Sequence, residues 1–236
     1  AGVEYRLLGQ TQAQPEISVL GATVSLAAAQ RAWDEPLEKV FPTQTAQAPE
    51  TAVFTPYAGP AAAGRAKPAV AKPRVIIPVF PGSNCEYDSA RAFAQAGGEP
   101  EVLVVRNLSA RDIEESVDAL AKAIRRAQIL MLPGGFSAGD EPDGPGKVIA
   151  ALFHRPILTD AVMQLLNERD GLVLGICNGF QALIKLGLLP YGQIRPLSDD
   201  SPTLTFNRIG RHISRMADTR VVSGLSPWLS LVKPGD

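Results

Sequence analysis

Cysteine is scarce in this 236-residue chain, which has only Cys85 and Cys177. Two thiols cannot build the disulfide framework on which small exported domains rely, so both read as free thiols of a reducing, cytoplasmic compartment. Histidine is as rare, with His154 and His212 alone. An excess of charge of either sign is also missing. Lys and Arg number 23 against 24 Asp and Glu, a net charge of -1, which excludes holding nucleic acid or an anionic membrane by bulk charge. No apolar run approaches the ~18 residues of a membrane-spanning helix. The opening AGVEYRLLGQTQ lacks the basic-then-apolar pattern of a signal peptide. What is present is ordinary core material, 45% hydrophobic and 20% charged, in a chain of a length that suits one or two domains of roughly 100–200 residues.

Glycine and proline are unevenly placed. Residues 46–73 hold ten Ala, five Pro and two Gly among 28 positions, with no helical or strand period, and read as a linker or a draped surface segment. Before it, Glu4–Leu8 and Ile17–Leu20 alternate loosely like edge strands, and Ser25 N-caps a helix through Trp33 that Pro36 ends. These first 45 residues make a poor independent core and are expected to belong to a domain whose body lies upstream. After the linker the pattern becomes regular. The short apolar run at 74–80 reads as a strand buried on both faces, and 101–105, 129–132 and 172–176 read as three further strands. Helices are expected at 86–96, 109–127, 157–168 and 178–186, the second with apolar positions Ile113, Val117, Leu120, Ile124 and Ala127 and a Ser109/Asp112 capping-box spacing. Gly187 closes the last of them. Alternation of this kind implies βαβ units around a mostly parallel sheet flanked by helices, with ligands bound at the carboxyl ends of the strands. Three loops leave such ends: Pro81–Asn84, Pro133–Asp140 and Cys177–Gly179.

The sharpest chemical feature is Gly175-Ile-Cys-Asn-Gly179. A strand runs into a thiol flanked by glycine at minus two and plus two, and a helix starts at once: a nucleophile elbow with Cys for Ser. The turn is tight, and larger neighbours would collide with the adjacent strand or helix. Cys177 then stands over a helix N-terminus, where an anion is favoured and the Asn178 amide points to a developing oxyanion. The competing reading is a small buried hydrophobe; the strand-before, helix-after context favours the nucleophile. Pro133-Gly-Gly135 frees backbone amides for an anion, although a plain turn explains that loop as well when it is taken alone. Gln181 lies one helical turn after Cys177, on its face. Cys85 opens a helix but lacks the glycine frame, and is read as structural. A Cys nucleophile commonly needs a His base. His154 reads as a surface residue, and His212 is retained only as a minor candidate.

At these residues a resemblance becomes detailed. LGICNGFQALIKLGLLPYG resembles the nucleophile segment of the class I (triad-type) glutamine amidotransferases, whose fold is flavodoxin-like. PVFPGSNCEYDSARAFAQAGGEPEV, PGGFSAGDEPDGPGK and SPTLTFNRIGRHISRMADTRV resemble further segments of the C-terminal glutaminase domain in the phosphoribosylformylglycinamidine synthases of purine biosynthesis. EPLEKVFPT and the Trp33 helix look like the end of a synthase domain in the single-chain form. The resemblance implies a synthase remnant, α+β, over 1–45, a linker over 46–73 and a glutaminase domain over 74–236. It implies that Cys177 attacks the amide carbon of glutamine, that the backbone N–H groups of Gly135 and Asn178 form the oxyanion hole, and that Gly134 and Gln181 bind glutamine. No metal or cofactor is expected in this domain. ATP and Mg2+ would belong to the synthase domain of the same polypeptide, which receives the ammonia.

The departure is at the end. The family's catalytic His and its Glu partner lie in a His-Gly-Glu-Gly-like segment well downstream of the cysteine. Only 59 residues follow Cys177 here, and that segment is not among them. The expectation is therefore a fragment with its nucleophile and without its base, slow or inactive alone. Two other readings stand beside it. Another cysteine-elbow α/β hydrolase or protein-quality enzyme would place a His soon after the cysteine, where Asn178 stands. A docking or regulatory domain could keep the fold without the chemistry.

Overall fold

The computed structural model describes residues 4–43, 70–137 and 146–204, and those from 207 to 236 other than 208, 211 and 215. Two compact units are present: Ala1–Ala62 with Phe206–Asp236, and Ala63–Thr205. Most of the Ala/Pro-rich stretch and the 138–145 part of the glycine-rich loop lie outside the described residues. Among the described residues no single helix is long and apolar enough to cross a membrane.

In the first unit β1 (Glu16–Val19) and β2 (Ala22–Ser25) form an antiparallel hairpin. Leu20 and Gly21 between them both take positive φ, as a two-residue hairpin turn requires. The expected strand at Glu4–Leu8 is absent, and residues 4–8 have no regular structure. The second hairpin strand was not expected, because Leu-Gly is not one of the usual hairpin turn signals. The helix α1 (Leu26–Asp34) begins as read: the Ser25 hydroxyl accepts from the Ala28 N–H at 3.2 Å. Pro36 falls in a 3-10 turn, Glu35–Leu37, that ends it. In the described part of 207–236 the one regular piece is a 3-10 turn at Pro227–Leu229.

The second unit is built on β3 (Arg74–Val79), β5 (Glu99–Val104), β6 (Ile129–Leu132) and β8 (Leu172–Gly175), all parallel. Two shorter strands, β4 (Ser83–Asn84) and β7 (Gly134–Gly135), pair with each other antiparallel outside this sheet. The helices are α2 (Glu86–Gln95), α3 (Ala110–Arg126), α4 (Lys147–Phe153), α5 (Pro156–Asn167), α6 (Asn178–Leu186) and α7 (Leu188–Tyr191). Sheet order is β5-β3-β6-β8. The first strand therefore sits inside, with its successor on one side and the later two on the other, and the winding reverses between β3 and β6.

The period of two in the strands sorts the core. Ile76, Leu130 and Leu132 face a large cluster with Val117, Leu120 and Ile124 of α3, Phe153 of α4, Leu158 and Leu165 of α5, and Leu183 and Leu186 of α6. Val75, Ile77, Ile129 and Met131 face the other way, with Ala90 and Phe93 of α2 against them. The two central strands are covered on both faces, which is why they read as unbroken apolar runs. The helix α4 has no mark in the sequence pattern, since seven residues carry too little periodicity to show one. Ser109 caps α3 by accepting from the Asp112 N–H at 3.1 Å. It also donates to the Asp112 carboxylate at 2.7 Å, so Asp112 bonds the hydroxyl rather than closing the box onto the cap's backbone.

The far end of α3 is closed by a residue 42 positions away. Arg169 donates to the Ala127 carbonyl and to the Ile124 carbonyl, both at 2.8 Å. Burial lowers its pKa from the ordinary value, the mark of a partly desolvated guanidinium. A cation on the last carbonyls suits the negative end of the helix. Arg169→Met keeps much of the stem but leaves these carbonyls without their partner. It is expected to lower stability by about 1–2 kcal/mol, or roughly 3–6 °C in thermal midpoint. A midpoint within 1 °C of the parent would refute the capping role.

Candidate functional site

Cys177 sits between the end of β8 and the first residue of α6, with φ 51° and ψ -108°. Positive φ is uncommon for a residue with a side chain and stores about 1–3 kcal/mol of strain. Its two glycines are required by their surroundings. A Cβ on Gly175 would stand 2.7 Å from the carbonyl atoms of Gly179 and 2.8 Å from Leu183 Cδ1. One on Gly179 would stand 2.1 Å from the Leu132 carbonyl oxygen. The elbow is thus pressed against both its own helix and the neighbouring strand. The cysteine remains exposed.

The other two strand-end loops come to the same place. After β3, Phe80–Asn84 turns back, with the Ser83 hydroxyl accepting from the Phe80 N–H at 3.0 Å. Ser83 and Asn84 then pair with Gly135 and Gly134 after β6. Gly135 has φ 115°, and a Cβ there would meet the Gly82 carbonyl oxygen at 2.3 Å. The Phe136 N–H donates to that same Gly82 oxygen at 2.9 Å. Gly134 lies beside the nucleophile position: its missing Cβ would be 3.5 Å from Cys177 Cβ. Pro81–Asn84 and Pro133–Gly135, read from sequence as separate loops, form one two-stranded clasp at the point where the sheet winding reverses, and this clasp borders Cys177.

Asn178 completes the arrangement through an atom that the sequence reading did not use. Its side chain is 1% exposed. The Oδ1 accepts from the Ser137 N–H at 3.4 Å, and the Nδ2 donates to Gln181 Oε1 at 3.3 Å. Gln181 is half-buried on α6, and its N–H donates to the Cys177 carbonyl at 3.0 Å. Gly134, Gly135, Cys177, Asn178 and Gln181 are therefore brought together. The signal for Asn178 was its polar side chain where the helix start packs under the sheet, and only the packing reveals its partners.

Cys85 N-caps α2 in left-handed conformation, φ 67°, and is exposed. It directly follows the clasp residue Asn84, whose Oδ1 accepts from the Cys85 N–H at 2.8 Å. His154 lies exposed in the turn between α4 and α5. His212 belongs to the other unit and is exposed. A cleft lined by Arg74, Glu99, Glu101 and Arg126 opens at the amino ends of β3 and β5, away from the elbow. The arrangement at the carboxyl ends offers an exposed thiol at a helix start with backbone amides of two segments beside it, which suits attack on a carbonyl or carboxamide carbon with stabilisation of the resulting oxyanion.

Residues 72–235 match the family described as CobB/CobQ-like glutamine amidotransferase domain. The chain is 37% identical over 145 residues to the phosphoribosylformylglycinamidine synthase subunit PurQ of Dehalococcoides mccartyi, covering 60% of this chain and 50% of that protein. It is 34% identical over 163 residues to the subunit of that name from Rubrobacter xylanophilus, covering 69% and 60%. A solved structure of PurLQS from Thermotoga maritima aligns at 35% identity with a TM-score of 0.36, over 50% of this chain and 46% of that one. The chain spans about half the length of the first curated relatives it matches.

Proposed function

The chain belongs to the family of CobB/CobQ-like glutamine amidotransferase domains, and from that premise we propose that it is the glutamine-hydrolysing part of a phosphoribosylformylglycinamidine synthase. The observation that carries this reading is the strained, glycine-framed Cys177 beside Gly134 and Gly135. Its relatives' names supply the pathway: PurQ subunits of that synthase.

The reaction is acyl transfer through a thioester. Cys177 Sγ, having lost its proton, attacks the side-chain amide carbon of glutamine, and the carbonyl oxygen becomes an oxyanion held by the N–H groups of Gly135 and Asn178. The tetrahedral adduct collapses, the C–N bond breaks, and the departing nitrogen takes up, by way of solvent, the proton that Sγ gave up, to leave as ammonia. Water then attacks the glutamyl thioester, releasing glutamate and restoring the thiol. Gly134 leaves room for the substrate next to the sulfur, and Gln181 hydrogen-bonds it. The ammonia is passed to a synthase domain, where ATP and Mg2+ drive its replacement of the carbonyl oxygen in formylglycinamide ribonucleotide. Residues 1–45 are the end of that synthase domain, 46–73 link it, and 74–236 form the glutaminase domain in the cytoplasm. Among the described residues of the unit that holds the elbow the one His, His154, lies between α4 and α5 and is not among those gathered around Cys177, so turnover by this chain alone is slow or absent, while the half-reaction at sulfur survives.

The test separates the two steps. The chain is treated with an electrophilic glutamine analogue, digested, and any adduct located by mass. An adduct on Cys177 and not on Cys85, suppressed by excess glutamine and lost in Cys177→Ala, is the expected result. An adduct distributed over both thiols, or one indifferent to glutamine, would overturn the reading.

A further inference from the structure

Asn178 is buried and polar, and two bonds of its side chain fix the orientation of three groups in sequence. A backbone N–H can only donate, so the Asn178 atom 3.4 Å from the Ser137 nitrogen is the oxygen Oδ1. The other end of that amide is then Nδ2, which can only donate, so the Gln181 atom 3.3 Å from it is the oxygen Oε1. Gln181 is left with its Nε2 group, which has two hydrogens to give and no lone pair to offer. Amide ends are otherwise interchangeable in shape; here one backbone N–H, 41 positions away, decides which end faces outward.

We propose that Asn178 is a positioning residue that acts through Gln181, holding it as a hydrogen-bond donor toward an acceptor group of the bound amino acid while tying the Ser137 end of the glycine loop to the elbow. The inference rests on the reading of the site as a glutamine site. It adds that selection there includes polarity: a ligand presenting a carbonyl or carboxylate oxygen to Gln181 is accepted, and one presenting an N–H is not. A group whose own bonds already hold it in place loses less freedom on binding. This role is distinct from that of the Asn178 backbone N–H, which is kept in the Asp and Ala variants below.

Asn178→Asp retains an acceptor for the Ser137 N–H but replaces the donor with an acceptor. Gln181 must then turn its Nε2 inward and present Oε1. The readout is the dependence of the Cys177 labelling rate on the concentration of the glutamine analogue, which gives a half-saturating concentration and a limiting rate separately. Asn178→Asp is expected to raise the half-saturating concentration about tenfold, the cost of one mismatched hydrogen bond. Made in the Gln181→Ala background, the same substitution is expected to change it less than about twofold, because the residue through which it acts is gone. Asn178→Ala, which introduces no buried charge, should show the same dependence on Gln181 and serves if the Asp variant does not fold. An equal effect in both backgrounds, or none in the parent, would overturn the inference and leave the glutamine site standing. Parent labelling that does not saturate, or that glutamine fails to block, would overturn both.

Discussion

Gly179→Ala is expected to lower the thermal midpoint of the chain by about 10 °C. Intrinsic propensity argues the other way, since alanine is favoured over glycine in helices by up to about 1 kcal/mol. The site decides against propensity. The new methyl would stand 2.1 Å from the Leu132 carbonyl oxygen and 2.6 Å from its carbon. Neither atom can swing away as a flexible side chain would, because that carbonyl already accepts from the Ile176 N–H at 3.1 Å, one residue past the end of the β6–β8 ladder. Either α6 must lift from the sheet, uncovering Ala182, Leu183 and Leu186, or the end of the ladder must open. Backbone overpacking of this kind costs about 3–4 kcal/mol, which for a unit of this size corresponds to about 3 °C per kcal/mol. Phe180→Ala, one residue along at a partly exposed side chain, serves as the control and should shift the midpoint by less than about 3 °C. A Gly179→Ala midpoint within 2 °C of the parent would show that the elbow is not packed against β6 as described.

Gly135→Ala should leave the fold standing and disable the chemistry. Its φ of 115° lies in a region that L side chains rarely adopt, and the added methyl would meet the Gly82 oxygen at 2.3 Å and the Asn84 nitrogen at 2.8 Å. The pair β4–β7, two residues on each side and outside the main sheet, is the part that must part. Opening it moves the Gly135 amide and the adjacent Gly134 away from Cys177. Losing one oxyanion donor typically reduces rates by about 100-fold, and labelling of Cys177 by the glutamine analogue is expected to slow by that order. The midpoint should fall far less than for Gly179→Ala, because β7 contributes nothing to either apolar cluster. Labelling within threefold of the parent would remove Gly135 from the site.

The two substitutions divide local constraints from long-range ones. Gly175-Ile-Cys-Asn-Gly179 could be read as an elbow because the constraint is local: a strand, a turn and a helix start within a few residues, where a collision is foreseeable from spacing. The caps at Ser25 and Ser109 and the closing Gly187 were legible for the same reason. The long α3 announced itself by its period, whereas α4, at seven residues, could not. Glu4–Leu8 shows the opposite failure. Its alternation resembles a strand, but a strand exists only with a partner, and partners are not encoded in local pattern.

By itself, then, the sequence determined the parallel α/β class, the central strands, and Cys177 with its glycine frame, all of which depend on neighbours within one or two turns of chain. Only the tertiary structure decided that the loops after β3 and β6 join as the β4–β7 clasp, that Arg169 closes α3, and that Asn178 links Ser137 to Gln181. Apart from the short Asn178–Gln181 step, these contacts span 41 to 52 positions in sequence. Their partners are set by how strands order and helices stack to bury apolar surface, which a reading of local spacing does not contain.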